Sequence, residues 1–253
     1  MVLGLLGTAC VKDGDTTRQT TQGFYLYNRV VSNDGKISLS KAQTTIVIDL
    51  NNFKMAISSS VKLSNGQKVK FEIEEISLSG SNPYEFSVSS AKSTDGSTVL
   101  NGIQGKVDLS GGVMYMQYNI NGTEAVYATS LIAFPYTSFN STKDGNTYSS
   151  TSSVMFFTLN DKDSTKATME VRNLQLSRNS SIIEDVTYDT VQVTPTVSGY
   201  KLTGSHLKNN SMGTSYDITD FNADVTDQGR VLNATFKCMG YDVKYQGQMF
   251  KSN

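Results

Sequence analysis

The stretch that decides the fold is Val231–Tyr245, VLNATFKCMGYDVKY, because a similar stretch, VMYMQYNINGTEAVY, occurs earlier at Val113–Tyr127. Side chains in a β-strand point alternately to opposite faces of the sheet, so every second residue shares one environment. The apolar sets are Met114, Met116, Tyr118 and Ile120 in the earlier copy and Leu232, Ala234, Phe236 and Cys238 in the later one. Gly122 and Gly240 both precede the return strand, where a tight turn often requires a positive φ. The sequence therefore predicts a matching β-hairpin in each half.

The match extends outwards from these hairpins. The offset between copies is 118 residues (232 minus 114), and it also aligns Tyr127 with Tyr245. Upstream the offset falls to 116 at Tyr84 and Tyr200, and it changes only in polar, turn-like segments, where insertions are tolerated. We interpret the pattern as an internal duplication that gives two β domains, at residues 23–129 and 130–253.

The rest of the chain also has the pattern of strands rather than helices. Strand-length segments are separated by turn residues at intervals of roughly 8–12, and no segment keeps the apolar spacing of an amphipathic helix over three turns. Each half has about eight candidate strands, which suit either a small barrel or a sandwich. The prediction is an all-β protein with two similar antiparallel β-barrel or β-sandwich halves.

Charge and histidine content exclude several functions. The 22 Lys and Arg residues nearly balance the 23 Asp and Glu residues, and no basic run occurs, which argues against nucleic-acid binding. His206 is the only histidine, so a multi-histidine metal site is impossible. It is expected in a polar loop without a nucleophile signature, and no glycine-rich phosphate loop is present. We expect no enzyme activity, no cofactor and no metal.

Paired carboxylates are the remaining route to catalysis, as in glycoside hydrolases. The candidate pairs are Asp108 with Asp224, Glu74 with Glu75, and Glu184 with Asp185. Asp108 and Asp224 match at an offset of 116 (224 minus 108), and each lies between apolar residues, so both are expected to point to solvent. A calcium site is conceivable where aspartates cluster, although their spacing fits no EF-hand loop. That cluster is Asp217, Asp220, Asp224 and Asp227.

Cys238 and the N-terminal Cys10 are the two cysteines. Cys238 lies on the apolar face, which predicts a small core residue rather than a nucleophile. Residues 1–10, MVLGLLGTAC, form a short apolar run that ends in small residues and Cys10. The run resembles the end of a bacterial lipoprotein signal peptide, in which the cysteine becomes lipidated, and it is too short to span a bilayer. No basic segment precedes it, which leaves open an upstream start codon; the alternative is a plain strand with Cys10 as a buried thiol.

Residues 11–22 are predicted to form a flexible tether, because Thr16–Gln22 contains no apolar residue. The acidic stretch Val11–Asp15 resembles the surface-export signal of Bacteroidetes lipoproteins. Together with the tandem β halves, the chain resembles the uncharacterised surface lipoproteins of that phylum, some of which carry calycin-like β-barrels. The resemblance implies a lipid anchor at Cys10 that holds the protein on the outer membrane, at the cell surface.

Three functions remain open at this point. The first is a non-catalytic surface protein that binds a glycan, a host molecule or a partner lipoprotein. The second is a calycin-like carrier of a small apolar ligand, whose rim would include Met114, Tyr115, Met116 and Tyr118; the simpler interpretation of that cluster is core packing. The third is a carboxylate-dependent glycoside hydrolase. The chain has 13 Tyr and 11 Phe but no Trp, the aromatic residue commonly favoured for stacking on sugars. The sequence identifies neither a ligand nor an oligomeric state.

Overall fold

A computed structural model describes residues 19–130, 132–210 and 213–251. The chain divides after Ser130 into two compact units, called here the first and second β domains. The secondary structure of the described residues is β-strand apart from two three-residue 3-10 helices, which confirms the all-β prediction. The lipoprotein-like run, Cys10 and the tether up to residue 18 lie outside the described residues, so the expectations for them stay predictions.

The first β domain is a closed antiparallel barrel. Its strands are β1 (Gln19–Ser32), β2 (Ile37–Asp49), β3 (Lys54–Lys62), β4 (Lys68–Ser79), β5 (Tyr84–Lys92), β6 (Val99–Asp108), β7 (Val113–Ile120) and β8 (Glu124–Ser130). Each strand pairs with the next, and β8 pairs back onto β1. Of the two architectures that the sequence allowed, this half therefore adopts the barrel.

The barrel interior is filled by alternate apolar side chains. Along β4, for example, Val69, Phe71 and Ile73 are buried while the residues between them are exposed. Met114, Met116 and Tyr118 on β7 belong to the same buried cluster, each no more than 3% exposed, as the alternation predicted. Full burial of one such side chain contributes about 1.5–3 kcal/mol. Three of the four residues that suggested a carrier rim are thus part of the packed core; Tyr115, on the other face of β7, is also buried but lies outside this cluster.

The second β domain is a ten-stranded sheet with the same strand plan. Its strands are β9 (Ile132–Ala133), β10 (Tyr136–Lys143), β11 (Asn146–Ser150), β12 (Val154–Leu159), β13 (Lys166–Leu174), β14 (Ile183–Thr196), β15 (Gly199–Leu207), β16 (Ile218–Thr226), β17 (Val231–Cys238) and β18 (Tyr241–Gln248). The 3-10 helices are Thr214–Tyr216 and Asp227–Gly229. The sheet runs β11-β10-β18-β17-β16-β15-β14-β13-β12-β9, so β11 and β9 are its two edges.

The two edges arise because one long hairpin is interrupted. The β10–β11 and β9–β12 pairings belong to a single register. Moving eleven residues away from the turn along both strands, from the pair Lys143–Asn146, leads to the pair Ile132–Phe157. In the first domain the corresponding hairpin, β1 with β2, is paired from Gln19 to Val31 without a break. The interruption contains Pro135, which has no N–H to donate to a ladder.

Tyr245 on β18 bridges this interruption. Its hydroxyl accepts a hydrogen bond from the N–H of Met155 at 3.1 Å and donates one to the carbonyl of Phe134 at 3.1 Å. Phe134 and Met155 would face each other if the hairpin register continued. The phenolic group therefore replaces the backbone hydrogen bonding that is missing between Phe134 and Met155.

The backbone confirms the duplication independently of side-chain pattern. The β3–β4 ladder slips between Met55 and Ile57, and the β13–β14 ladder slips at the matching place, between Ala167 and Met169. The β6–β7 and β16–β17 ladders share a second irregularity, between Asn101 and Gln104 in one and between Thr219 and Asn222 in the other. β-Bulges bend and twist a strand at a fixed point, so shared bulges indicate a shared curvature in the two halves.

Residues with positive φ also recur at matching places. Glu75 (φ 56°) corresponds to Thr190 (φ 68°), and Gly102 (φ 60°) corresponds to Asp220 (φ 54°). Each of these residues lies at or beside one of the bulges. The two β domains thus share unusual backbone conformations as well as topology.

The predicted match of Tyr127 with Tyr245 is wrong. Gly122 and Gly240 do share a turn position, with φ of 71° and 77°. However, the turn between the paired residues Ile120 and Glu124 has three residues, whereas the turn between Cys238 and Tyr241 has two. The missing residue shifts β18 by one position, and a shift of one turns every side chain to the other face. Ala128 is therefore the counterpart of Tyr245, while Tyr127 lies half-buried with Arg29 4.5 Å above its ring.

Candidate functional site

Asp108 is an anchor for a turn, which corrects the expectation that it faces solvent. It is 0% exposed. Its Oδ1 accepts hydrogen bonds from Asn82 Nδ2 at 2.6 Å and from the N–H groups of Ser110 at 3.0 Å and Gly111 at 2.8 Å. The expectation failed because β6 ends at Asp108, and the chain that follows folds back onto its carboxylate.

Asp224 neither shares the buried environment of Asp108 nor corresponds to it in the duplication. It is exposed on β16, as expected. Val107 and Val225 hold the same place in the two ladders, since Val107 pairs with Met114 and Val225 with Leu232. The residue that corresponds to Asp108 is therefore Thr226, and the offset of 116 misaligned this strand by two residues.

The other two carboxylate pairs are exposed on sheets. Glu74 and Glu75 lie at the bulge of β4, and Glu184 and Asp185 lie at the start of β14. Arg172 Nε approaches Asp185 Oδ1 at 3.5 Å. Neither pair belongs to the two grooves described below.

His206 lies on β15 rather than in a loop and pairs with Asp217. Its Nε2 is 3.1 Å from Asp217 Oδ2. Asp217 Oδ1 also accepts from the backbone N–H of Asn209 at 3.0 Å, and these hydrogen bonds, that of Asn209 foremost, lower the pKa of Asp217. Within the described ranges no three His, Cys, Asp or Glu residues come together in a way that could hold a metal.

Cys238 is a core residue, as the alternation of β17 predicted. It is 1% exposed, and its Sγ lies 3.7 Å from the carbonyl oxygen of Tyr216. Burial, together with the charge of Asp217, raises the pKa of the Cys238 thiol to about 12. The thiol is therefore protonated at neutral pH and unsuited to nucleophilic attack.

One groove lies in the second β domain, and we call it the β11 groove. One wall is the β10–β11 hairpin from Ser141 to Ser149, and the other is the loop between β13 and β14 at Leu176–Asn179, with Tyr241 at the start of β18. Its volume is about 660 Å³, within the range of ligand-binding sites. The sequence analysis did not find it; the available signals were Pro135 and the long Ser- and Asn-rich loop after β13.

Hydrogen bonds fix the loop wall of the groove. Ser177 and Ser180 bond reciprocally, each hydroxyl accepting from the other residue's N–H at 3.0–3.1 Å. The Ser141 hydroxyl donates to the carbonyl of Leu176 at 2.6 Å. The Tyr148 hydroxyl donates to Gln175 Oε1 at 2.5 Å, and so ties β11 to the loop. The groove is thus shaped before any partner arrives.

Two cations flank the β11 groove. Lys143 Nζ lies 5.1 Å from the centre of the Tyr241 ring and donates to the carbonyl of Met239 at 3.3 Å. Arg178 is exposed on the loop wall, and the described residues provide no ion pair for it. Asp144 is the one acidic residue of the lining, so the charged side chains favour a negatively charged partner.

β11 also presents an unpaired strand edge to the groove. In the described sheet its only neighbour is β10. The two-residue turn makes Lys143–Asn146 the closing, hydrogen-bonded pair. From there, pairs without and with backbone hydrogen bonds alternate along the hairpin. Tyr148 therefore bonds to β10, while the backbone groups of Thr147 and Ser149 point away from β10. Thr147 and Ser149 both line the groove.

The first β domain has a smaller groove at the matching place, here the β2 groove. It lies between Ser38–Leu39 on β2 and the β3–β4 turn at Lys62–Gly66, and its volume is about 310 Å³. Glu124 fastens this turn, because its Oε1 accepts from both the N–H (3.1 Å) and the hydroxyl of Ser64. Glu124 pairs with Ile120 at the start of β8, and Tyr241 pairs with Cys238 at the matching position of β18. Tyr241 therefore stands where the first β domain has the carboxylate that holds the turn. The duplication thus holds one latched groove and one open groove.

Comparison with known proteins yields little. No protein-family model matches the chain, and no curated protein matches its sequence. A solved structure with some similarity is the isotype 1 transferrin binding protein B of serogroup B Neisseria meningitidis. It is 9% identical with a TM-score of 0.30, and the match covers 92% of this chain and 77% of that one. A likeness this weak carries no argument about fold or partner. No helix in the described ranges has the length and apolar character needed to cross a membrane.

Proposed function

We propose that this is a non-catalytic, lipid-anchored protein of the bacterial cell surface that binds a partner protein in the β11 groove. The observation that carries the proposal is the unpaired edge of β11, which opens onto a groove with preset walls and two flanking cations. Proteins commonly recognise one another through an exposed strand edge, because the backbone supplies affinity and the neighbouring pockets supply specificity. The partner is a host protein or another lipoprotein.

The anchor is supported by the sequence of residues 1–10. Lipidation of Cys10 would hold the chain at the outer membrane, and residues 11–18 would act as a flexible spacer. Residues 19–22, predicted as the end of this tether, instead begin β1 and pair with β2. A single lipid chain binds a membrane only weakly, so stable anchoring needs further acyl chains on the same residue or a second contact. A Bacteroidetes origin and a calycin kinship belong to this proposal as well.

The carrier function ranks second. It is disfavoured by the packed interior of the first barrel, where Phe71 lies edge-on to Tyr118 with ring centres 5.6 Å apart. The buried Tyr118 hydroxyl, which has no hydrogen-bond partner among the described residues, is the one observation in favour of an internal guest. The hydrolase function ranks third, because the candidate carboxylates are turn-bound or exposed on sheets away from both grooves.

Site-specific photo-crosslinking tests the proposal. A benzophenone amino acid replaces Thr147 in the β11 groove, and the matched control replaces Ser38 in the β2 groove. The crosslinking is done in cells of the source bacterium, with and without material from its habitat. We expect one protein to crosslink at Thr147 and not at Ser38. The crosslinked protein, once identified and purified, should bind the full chain and lose that binding on Arg178→Glu. Equal crosslinking at both positions, or none at either, would contradict the proposal.

A further inference from the structure

We infer that the β11 groove takes an extended peptide segment with acidic side chains, which adds to the edge of β11 as a further strand. This inference rests on the proposed function and deepens it, because it names the conformation and charge of the partner segment. Its three supports are the backbone of β11, the charges on the two walls and the existing contacts of the aromatic residues.

The backbone support is the alternation along β11. Thr147 and Ser149 each turn one N–H and one C=O away from β10 and into the groove. These groups need hydrogen-bond partners when water is displaced from them, since an unpaired buried backbone group costs about as much as a lost hydrogen bond. A peptide in β conformation offers donors and acceptors at the same spacing. The five residues of β11 have room for a short added strand.

The charge support is the position of the two cations. Arg178 lies on the wall opposite β11, so a strand added to the β11 edge would run past its guanidinium, while Lys143, at the turn end of β10, adds positive charge on the far side of β11. An arginine can bind a carboxylate through two parallel hydrogen bonds, and charge-assisted bonds of this kind are about twice as strong as neutral ones. The wall loop is already fixed by the Ser177–Ser180 bonds, so little of it must be ordered when the peptide binds.

The aromatic side chains favour a peptide over a glycan. Sugar recognition by stacking requires a free aromatic face, and Lys143 already covers one face of Tyr241. The Tyr148 hydroxyl is already committed to Gln175. The groove also offers the outward backbone groups of β11 and the guanidinium of Arg178, and these match an acidic strand.

Selection from a library of random seven-residue peptides, displayed against the immobilised full chain, provides the test. We expect the enriched peptides to carry Asp or Glu at alternate positions. Their dissociation constants should rise at least tenfold with Arg178→Glu. The matched control, Lys62→Glu in the β2 groove, should change them less than twofold. Peptides without acidic residues, or equal effects of the two variants, would overturn the charge assignment.

Two further comparisons test strand addition itself. Ser149→Pro removes the outward N–H and, since that N–H does not pair with β10, leaves the hairpin intact. Ser149→Ala is its control, because it loses the same side-chain bond to Asn140 but keeps the N–H. We expect only the proline variant to abolish binding. In the selected peptide, N-methylation should abolish binding at every second amide and be tolerated at the others, a readout that leaves the protein unchanged.

The outcomes separate this inference from the proposed function. If Thr147 crosslinks a protein but N-methylation has the same effect at all amides, strand addition is wrong and the groove still binds a protein. If no protein crosslinks and a glycan from an array binds the full chain in an Arg178-dependent way, both statements are wrong.

Discussion

At the scale of single residues, Tyr245 and Asp95 show how polar side chains replace or fix backbone structure. The Tyr245 hydroxyl joins Phe134 to Met155 across a break in the second β domain. Burial raises the pKa of Tyr245 above its ordinary value, while the hydrogen bond from Met155 opposes the rise. The phenol therefore stays protonated and keeps its donor at any physiological pH.

Tyr245→Phe should destabilise the second β domain by about 1–3 kcal/mol, because it leaves a buried N–H and a buried carbonyl without partners. Urea unfolding followed through backbone resonances of β10 and β12 measures the effect, together with amide exchange at Met155. Tyr127→Phe is the matched control: it removes a tyrosine hydroxyl that bridges no break. Equal stability of the two variants would show that the bridge is unimportant.

Asp95 fixes the β5–β6 turn and gives a pH-dependent contribution. The Ser93 hydroxyl, then the N–H and hydroxyl of Ser97, lower the pKa of Asp95 from 3.8 to about 2. Because the folded pKa is below the unfolded one, this contribution is fully present above pH 4 and is lost as the pH falls through about 2. Carboxyl-carbon NMR titration should report the low pKa, and Ser93→Ala should move it back towards 3.8. A titration midpoint near 3.8 in the unmodified protein would contradict the assignment.

At the scale of elements, the two copies of the strand plan differ in how their turns and edges are closed. In the first β domain Glu124 fastens the β3–β4 turn through Ser64, whereas Tyr241 at the same place leaves the β11 groove open. Glu124→Ala should free that turn, so the amide hydrogen of Ser64 should exchange faster. Exchange measured by NMR should remain unchanged in the control variant Tyr241→Ala. An unaltered rate at Ser64 in Glu124→Ala would mean that the turn holds its shape without the carboxylate.

Much of the element pattern could be predicted from the sequence. The alternation of Met114, Met116 and Tyr118 predicted the buried face of β7, and Gly122 and Gly240 predicted tight turns. Alternation reports which face of a strand packs into the core, because successive side chains point to opposite faces of the sheet. It does not report whether a sheet closes, so barrel and sandwich could not be separated.

The errors have a common physical cause. Glycine matched glycine at Gly122 and Gly240, yet the turns around them differ by one residue, and one residue reverses the faces of the strand that follows. The β11 groove was missed for a related reason. It depends on the length and fold of the loop after β13, and loops carry no periodic signal from which a wall could be predicted.

At the scale of the whole molecule, the lipid anchor proposed at Cys10 would decide where the protein works. Cys10→Ala should release the protein from the membrane fraction into the soluble fraction, because the lipid would have no site of attachment. Cell fractionation followed by immunoblotting measures this. Cys238→Ala is the control and should leave the distribution unchanged, since its thiol lies in the core. Membrane association that survives in Cys10→Ala would exclude lipidation at this residue.

The first β domain is a closed barrel and the second is an open sheet, and each has its own apolar core. The duplicated plan carries a groove at the same place in each β domain, and the proposed partner binds only the larger one. The volumes of about 310 and 660 Å³ measure that divergence within a single chain. It follows that groove variants of the first β domain serve as internal controls for the second.

An exposed strand edge is also the route by which β proteins join with copies of themselves. If two molecules met edge to edge at β11, Lys143 and Arg178 of each would be crowded against the same cations of the other. Like charges so placed repel, most strongly in dilute salt. If these side chains select an acidic guest, as inferred above, their charge would also oppose self-association at the β11 edge.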